Sequence, residues 1–214
     1  NAALIQLSST DDPDTNLPVT EALIREAAAS GATLIATPEV TNVVSMSRTR
    51  QTAVLREEDE DQTLARLRIV AAELRIWLLI GSLAVKGAAD GRFSNRSFLI
   101  DPAGAVIATY DKIHMFDAIP TAEERYRESR GYKPGDRAVL AATDIARIGM
   151  TICYDMRFPE LYLRLARAGA QILTIPAAFT RPTGAAHWEV LLRARAIETG
   201  CFVLAPAQCG EHAA

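Results

Sequence analysis

The sequence predicts an α/β domain in which strands and helices alternate from one end to the other. Three observations predict it. Short apolar runs of strand length recur along the 214 residues. Between them lie segments with apolar residues at helical spacing, several stopped by glycine. Several of the strand-like runs carry apolar residues on both faces, as in a sheet covered on both sides. The length suits one domain, which hides roughly 70% of the surface of its unfolded chain. With 49% hydrophobic residues, a large core forms without disulfides or structural metal.

The elements follow in order. Ala3–Leu7 reads as a buried strand, and Leu17–Ala29 as an amphipathic helix stopped by Gly31. Ala32–Thr37 is a second strand, broken by Pro38. The pattern weakens between Val43 and Glu60, where the acidic run 57–61 reads as solvated loop or helix start. Helix Gln62–Arg75 leads into strand Ile76–Val85. Arg96–Ile100 and Ala105–Tyr110 flank Asp101-Pro102-Ala103-Gly104, a hairpin turn. The polar, aperiodic stretch from Asp117 to Arg137 is a long loop, and such loops are usually functional. Strand Ile145–Cys153, helix Pro159–Ala168 and strand Gln171–Ile175 come next, then helix Ala186–Thr199 and strand Cys201–Ala205.

Charge and cysteine content remove whole classes of function. The formal net charge of −3 offers no basic field for a phosphate backbone, so no nucleic-acid partner is expected. No apolar run reaches the ~18 residues of a membrane span, and no secretory signal opens the sequence. Three cysteines, Cys153, Cys201 and Cys209, are too few and odd for a disulfide framework and point to a reducing, cytoplasmic compartment. In that compartment the sequon Asn95-Arg96-Ser97 carries no glycan. No spacing of histidine and cysteine resembles a metal site, and no glycine-rich phosphate loop is present, so neither metal nor cofactor is expected.

Functional side chains of α/β layers gather where strands end. Glu39 closes Ile35-Ala36-Thr37-Pro38-Glu39, and Lys112 lies in Tyr110-Asp111-Lys112-Ile113-His114. Cys153 precedes the turn Tyr154-Asp155-Met156-Arg157-Phe158, with Pro159 suited to a first helical turn. A strand–nucleophile–turn–helix layout presents a side chain at a sheet edge, beside a helix N-terminus that favours a thiolate. Taken singly, each also has a plain structural reading: a small buried cysteine, a solvated loop carboxylate, an exposed hairpin lysine.

Together, Thr37-Pro38-Glu39, Tyr110-Asp111-Lys112-Ile113-His114 and Ile152-Cys153-Tyr154-Asp155-Met156-Arg157-Phe158-Pro159-Glu160 resemble the three signature blocks of the nitrilase superfamily. These are carbon–nitrogen hydrolases with a Glu–Lys–Cys triad, and the order of the blocks agrees. The finer resemblance is to the amidase branch that includes ω-amidase and deaminated-glutathione amidase, and residues 183–199 and Ala207-Gln208-Cys209-Gly210 are especially similar to the deaminated-glutathione amidase side. The resemblance implies a four-layer α-β-β-α sandwich formed by a single domain, residues 1–214. It also implies further strands, a Gly-His-Ser segment and a tail beyond Ala214, which this sequence lacks, and a homodimer or higher homo-oligomer.

By position, the resemblance implies Glu39 as general base, Lys112 as oxyanion stabiliser, Cys153 as nucleophile and Glu128 as supporting carboxylate. Amide hydrolysis needs a nucleophile stronger than water, a proton carrier and donors aimed at the developing oxyanion. The backbone N–H of Tyr154 would add the second donor. Arg157 would grip a substrate carboxylate with help from Thr183, its alternative being an ion pair with Asp155 or Glu160. His114 and His187 are expected as packing or hydrogen-bonding residues, and Cys201 and Cys209 as buried bystanders. The expected partner is a small amide bearing a carboxylate, such as deaminated glutathione or 2-oxoglutaramate. Nitrile or carbamoyl hydrolysis and acyl transfer use the same three groups and stay open as alternatives, as does a catalytically silent scaffold.

Overall fold

Two β-sheets lie face to face, and a pair of helices covers the outer side of each. The computed structural model describes residues 1–122 and 124–212. The first sheet holds five strands in the order β1-β2-β3-β4-β5: β1 (Ala2–Leu4), β2 (Leu34–Ala36), β3 (Trp77–Val85), β4 (Ser94–Ile100) and β5 (Val106–Asp111). Strands β1 to β3 are parallel, and the β3–β4–β5 meander is antiparallel. A two-residue hairpin, β6 (Asp117–Ala118) with β7 (Tyr126–Arg127), stands apart. The second sheet has the order β11-β10-β9-β8, with β8 (Val139–Ala142), β9 (Arg147–Met150), β10 (Ile172–Thr174) and β11 (Phe202–Leu204). Only β8 is antiparallel in it.

Side-chain alternation builds the layers. Leu34, Ala36 and Leu79 point inward and meet Ile148, Met150 and Ile152 of the other sheet. Ile35, Leu78 and Ile80 point outward, under α1 (Pro13–Ala29) and α3 (Gln62–Leu74), which contribute Ile24, Leu64, Leu67 and Val70. On the far side, α4 (Pro159–Arg167) and α5 (Arg181–Thr199) pack Leu161, Tyr162, Leu165 and Leu191 against Leu173 and Ile175. The layers are α-β-β-α, as the resemblance implied.

Local chemistry sets the helix ends. Asp61 caps α3 by accepting from Leu64 N at 2.8 Å. Gly200 ends α5 at φ +67°, a conformation glycine adopts without steric cost. Helix α5 begins at Arg181, ahead of the expected Ala186, because Thr180 and Pro182 start it before its apolar stripe does. A seven-residue helix, α2 (Arg48–Val54), occupies part of the weak segment and buries only Gln51, so no apolar periodicity announced it. Strand β8 was likewise unannounced, because a strand of four residues is too short to show a period of its own. The expected loop 117–137 contains β6, β7 and a 3-10 turn, and its residue 123 lies outside the described residues.

One glycine fixes how closely the layers meet. A Cβ on Gly81 would stand 2.0 Å from the Thr37 carbonyl oxygen and 2.5 Å from both Pro38 O and Pro176 Cβ. Only glycine lets β3 pass beneath the segments that leave β2 and β10, and those segments lead into the site described next.

Candidate active site

Glu39 follows β2 after Thr37-Pro38, in a turn tied by a 2.8 Å hydrogen bond between the Thr37 and Thr41 hydroxyls. Val40 has φ +48°, an outlier for a β-branched residue, and its N–H donates to Ser82 Oγ at 2.8 Å. Cys153, three residues beyond β9, has the same φ of +48°, and its N–H donates to Pro176 O at 2.9 Å. Strained backbone of this kind costs about 1–3 kcal/mol per residue and clusters at functional sites. Here it turns the thiol and the carboxylate toward each other. Both residues are buried, at 6% and 4% exposure.

Lys112 leaves the end of β5. Its Nζ donates to Glu39 Oε1 at 2.9 Å and to Glu128 Oε1 and Oε2 at 3.0 and 2.9 Å. Glu39 Oε2 accepts from Ala178 N at 2.8 Å, and Glu128 Oε2 from Phe116 N at 2.6 Å. Burial opposes the charge on Lys112, but Glu128 and Glu39 outweigh it and hold the ammonium well above the ordinary lysine range. Burial and the neighbouring Glu39 carboxylate push the Cys153 thiol well above its ordinary value, although Lys112 pulls the other way. This corrects the expectation of a helix-stabilised thiolate. Desolvation outweighs one short turn of backbone dipoles and disfavours the thiolate beside the Glu39 carboxylate.

The site opens into a cavity of about 450 Å³ whose lining includes Glu39, Lys112, Glu128, Cys153, Arg157 and Thr183. Tyr154 also lines it, and it takes the second position of the 3-10 turn Cys153–Arg157, where backbone N–H groups have no partner inside the helix. Arg157 forms neither expected ion pair: Asp155 bonds His114, and Glu160 bonds Arg164. Instead one Arg157 Nη donates to His187 Nδ1 at 2.8 Å, and its Nε is buried without a partner among the described residues. The Thr183 hydroxyl bonds that of Thr180 at 2.7 Å, in the first turn of α5. His114 stacks on Phe158 with ring centres 3.6 Å apart, and neither histidine lines the cavity. Cys201 is buried as expected, whereas Cys209 is partly exposed. Among the described residues no cluster of three or more His, Cys, Asp or Glu could hold a metal ion.

Two participants escaped the sequence reading. Asn95, noted there only as part of a sequon, is 2% exposed, and its Nδ2 donates to Glu39 Oε1 at 2.9 Å and to Glu128 Oε1 at 3.4 Å. Its signal lay in the predicted hairpin: pairing β4 with β5 puts Asn95 beside Lys112, whose N–H donates to Asn95 O at 3.0 Å. Asp155 is fully buried beneath the Cys153 turn and meets four donors. No local pattern marked it as different from a solvated turn aspartate.

The carbon-nitrogen hydrolase family model matches residues 1–214. The chain belongs to that family. Among its relatives, the deaminated glutathione amidase of Yersinia enterocolitica is 42% identical over the whole chain, which spans 75% of that protein. The human deaminated glutathione amidase is 42% identical over 98% of the chain and 65% of its own length. These place the hydrolase in the amidase branch of the nitrilase superfamily. The crystal structure of the Caenorhabditis elegans NitFhit protein superposes with a TM-score of 0.89 at 37% identity, over 99% of this chain and 51% of that one. An amidase from Nesterenkonia sp., trapped with acrylamide added at its active-site cysteine, gives 0.80 at 25% identity, over 98% of this chain and 78% of that one. The four-layer sandwich is the fold of these neighbours.

Proposed function

We propose that this carbon-nitrogen hydrolase is an amidase that releases ammonia from a small ω-amide carrying a carboxylate at its other end, through a thioester on Cys153. The observation that carries the reading is the meeting of Cys153, Glu39 and Lys112 in one cavity that Arg157 also lines. The amidase names of the relatives support the reaction, and the adduct on the Nesterenkonia amidase's active-site cysteine supports a cysteine nucleophile.

The chemistry follows from the geometry. The Cys153 thiol passes its proton to Glu39 as the sulfur forms a bond to the amide carbon. The carbonyl π electrons move to oxygen, where the Lys112 ammonium and the Tyr154 N–H stabilise them. Collapse breaks the C–N bond, and the proton held by Glu39 leaves with the nitrogen as ammonia. Water then adds to the thioester while Glu39 takes its proton. Expulsion of the sulfur, reprotonated by Glu39, yields the carboxylic acid and restores the thiol. Glu128 and Asn95 hold the Lys112–Glu39 pair in register. Arg157 lines the cavity, and its guanidinium supplies a donor for the substrate's carboxylate.

The three cysteines are unpaired, which supports a reducing, cytoplasmic setting for the enzyme. Val190 and Ile197 of α5 and Phe202 of β11 are exposed apolar residues, which supports a homodimer or larger homo-oligomer, measurable by sedimentation. The function is tested by measuring ammonia release from a panel of carboxylate-bearing ω-amides, neutral amides and nitriles, with Cys153→Ala as control. Release from carboxylate-bearing amides that the variant abolishes is expected. No release from any compound, or equal release by the variant, overturns the proposal.

A further inference from the structure

The Asp155 carboxylate lies fully buried, and every contact it makes is to a donor. Oδ2 accepts from Tyr110 Oη at 2.7 Å and from Ile152 N at 2.9 Å. Oδ1 accepts from His114 N at 3.0 Å and faces His114 Nδ1 at 2.7 Å, so the imidazole carries its proton on Nδ1. These partners belong to two separate segments. Tyr110 and His114 bracket Lys112, two residues before and two after it. Ile152 immediately precedes Cys153, whose backbone is held at φ +48°.

We propose that Asp155 is a positioning residue that fixes the Lys112 ammonium relative to the Cys153 sulfur by clamping both backbones through one carboxylate. The segments come from different sheets, β5 in the first and β9 in the second. Without a common anchor, sliding of one sheet over the other would move the oxyanion donor and the nucleophile independently. Oxygen atoms shared between Tyr110, His114 and Ile152 remove that freedom. The Phe158 ring, stacked on His114 at 3.6 Å, closes the clamp from the start of α4. Tyr110 and Asp155 are both buried, so water does not substitute for a lost partner.

The proposal extends the amidase reading, and the test separates the two. In Asp155→Asn, an amide N–H₂ replaces one oxygen and opposes a donor. The variant should keep KM within about threefold while kcat falls about 100-fold, the cost of displacing reacting groups by about 1 Å. The rate at which iodoacetamide alkylates Cys153, read by mass spectrometry of its peptide, should fall at least about tenfold with it. Tyr110→Phe removes a single hydroxyl, is less disruptive to folding, and should lower kcat and alkylation by about tenfold. A folded Asp155→Asn protein with lowered melting temperature but unchanged kcat and alkylation rate overturns the proposal. So does Tyr110→Phe with wild-type values of both. If the wild-type protein alkylates at Cys153 yet hydrolyses no amide, the amidase reading fails, and the alkylation comparison alone decides the role of Asp155.

Discussion

Replacing Arg157 by alanine should raise KM for carboxylate-bearing amides and leave neutral amides nearly untouched. The magnitude follows from how the guanidinium is held. One Nη is committed to His187 Nδ1 at 2.8 Å, which orients the guanidinium of a residue that lines the cavity. A charge-assisted contact to a carboxylate contributes about 1.5–3 kcal/mol. At 1.4 kcal/mol per factor of ten, that is a roughly 10- to 150-fold rise in KM. Lysine at this position keeps the charge but loses the fork, and should recover only part of the affinity. Steady-state ammonia release is measured for two matched amide series, one ending in a carboxylate and the other in its methyl ester. An equal rise in KM for both series, or a fall in kcat with KM unchanged for both, refutes the assignment of Arg157 to the substrate carboxylate.

Two further predictions concern stability. Lys112→Met leaves Glu39 and Glu128 side by side without their cation, and breaking a buried pair costs about 3–5 kcal/mol, or about 10 °C in Tm for a chain of this size. Because the folded-state pKa of Lys112 is raised, its contribution is fully present at neutral pH, so the wild-type–variant gap is expected to be wide at pH 7. Calorimetry at pH 7 that shows no fall in Tm for the variant counts against the pairing. Glu21 bridges α1 to α3 through Arg66 at 2.6 Å, and that bond, with Arg25 adding to it against the cost of burial, lowers its pKa from 4.5 to about 2. A depressed carboxylate stabilises the fold above its unfolded value and stops doing so as pH falls toward the folded one. Glu21→Gln should therefore lower Tm by about 3 °C at pH 7 and by progressively less between pH 4.5 and 2, a trend that thermal scans across that window would check.

The main elements were legible because burial imposes a period. The helix at 62–74 carries Leu64, Leu67, Val70 and Ala71 on one face, and β3 is buried at every position and apolar on both faces because it is covered on both sides. The seven-residue α2 and four-residue β8 are too short and too little buried for periodicity to mark them. Glu39, Lys112 and Cys153 were legible as strand-end residues within three familiar blocks, and Glu128 by its place in the polar loop. Asn95 and Asp155 were not, since each matters through a partner distant in the chain: Glu39 lies 56 residues from Asn95, and Tyr110 lies 45 from Asp155.

The order of strands and helices, the family and the identity of the reactive groups are written in the sequence, because side-chain period and local turn chemistry act over a few residues. Their protonation and alignment are decided only when the two sheets close. Packing removes water from Cys153 and Lys112, so the thiol keeps its proton while two carboxylates keep the ammonium charged. Desolvation and Coulomb attraction act through space, and no stretch of chain carries them until residues 39, 112, 128 and 153 share one cavity.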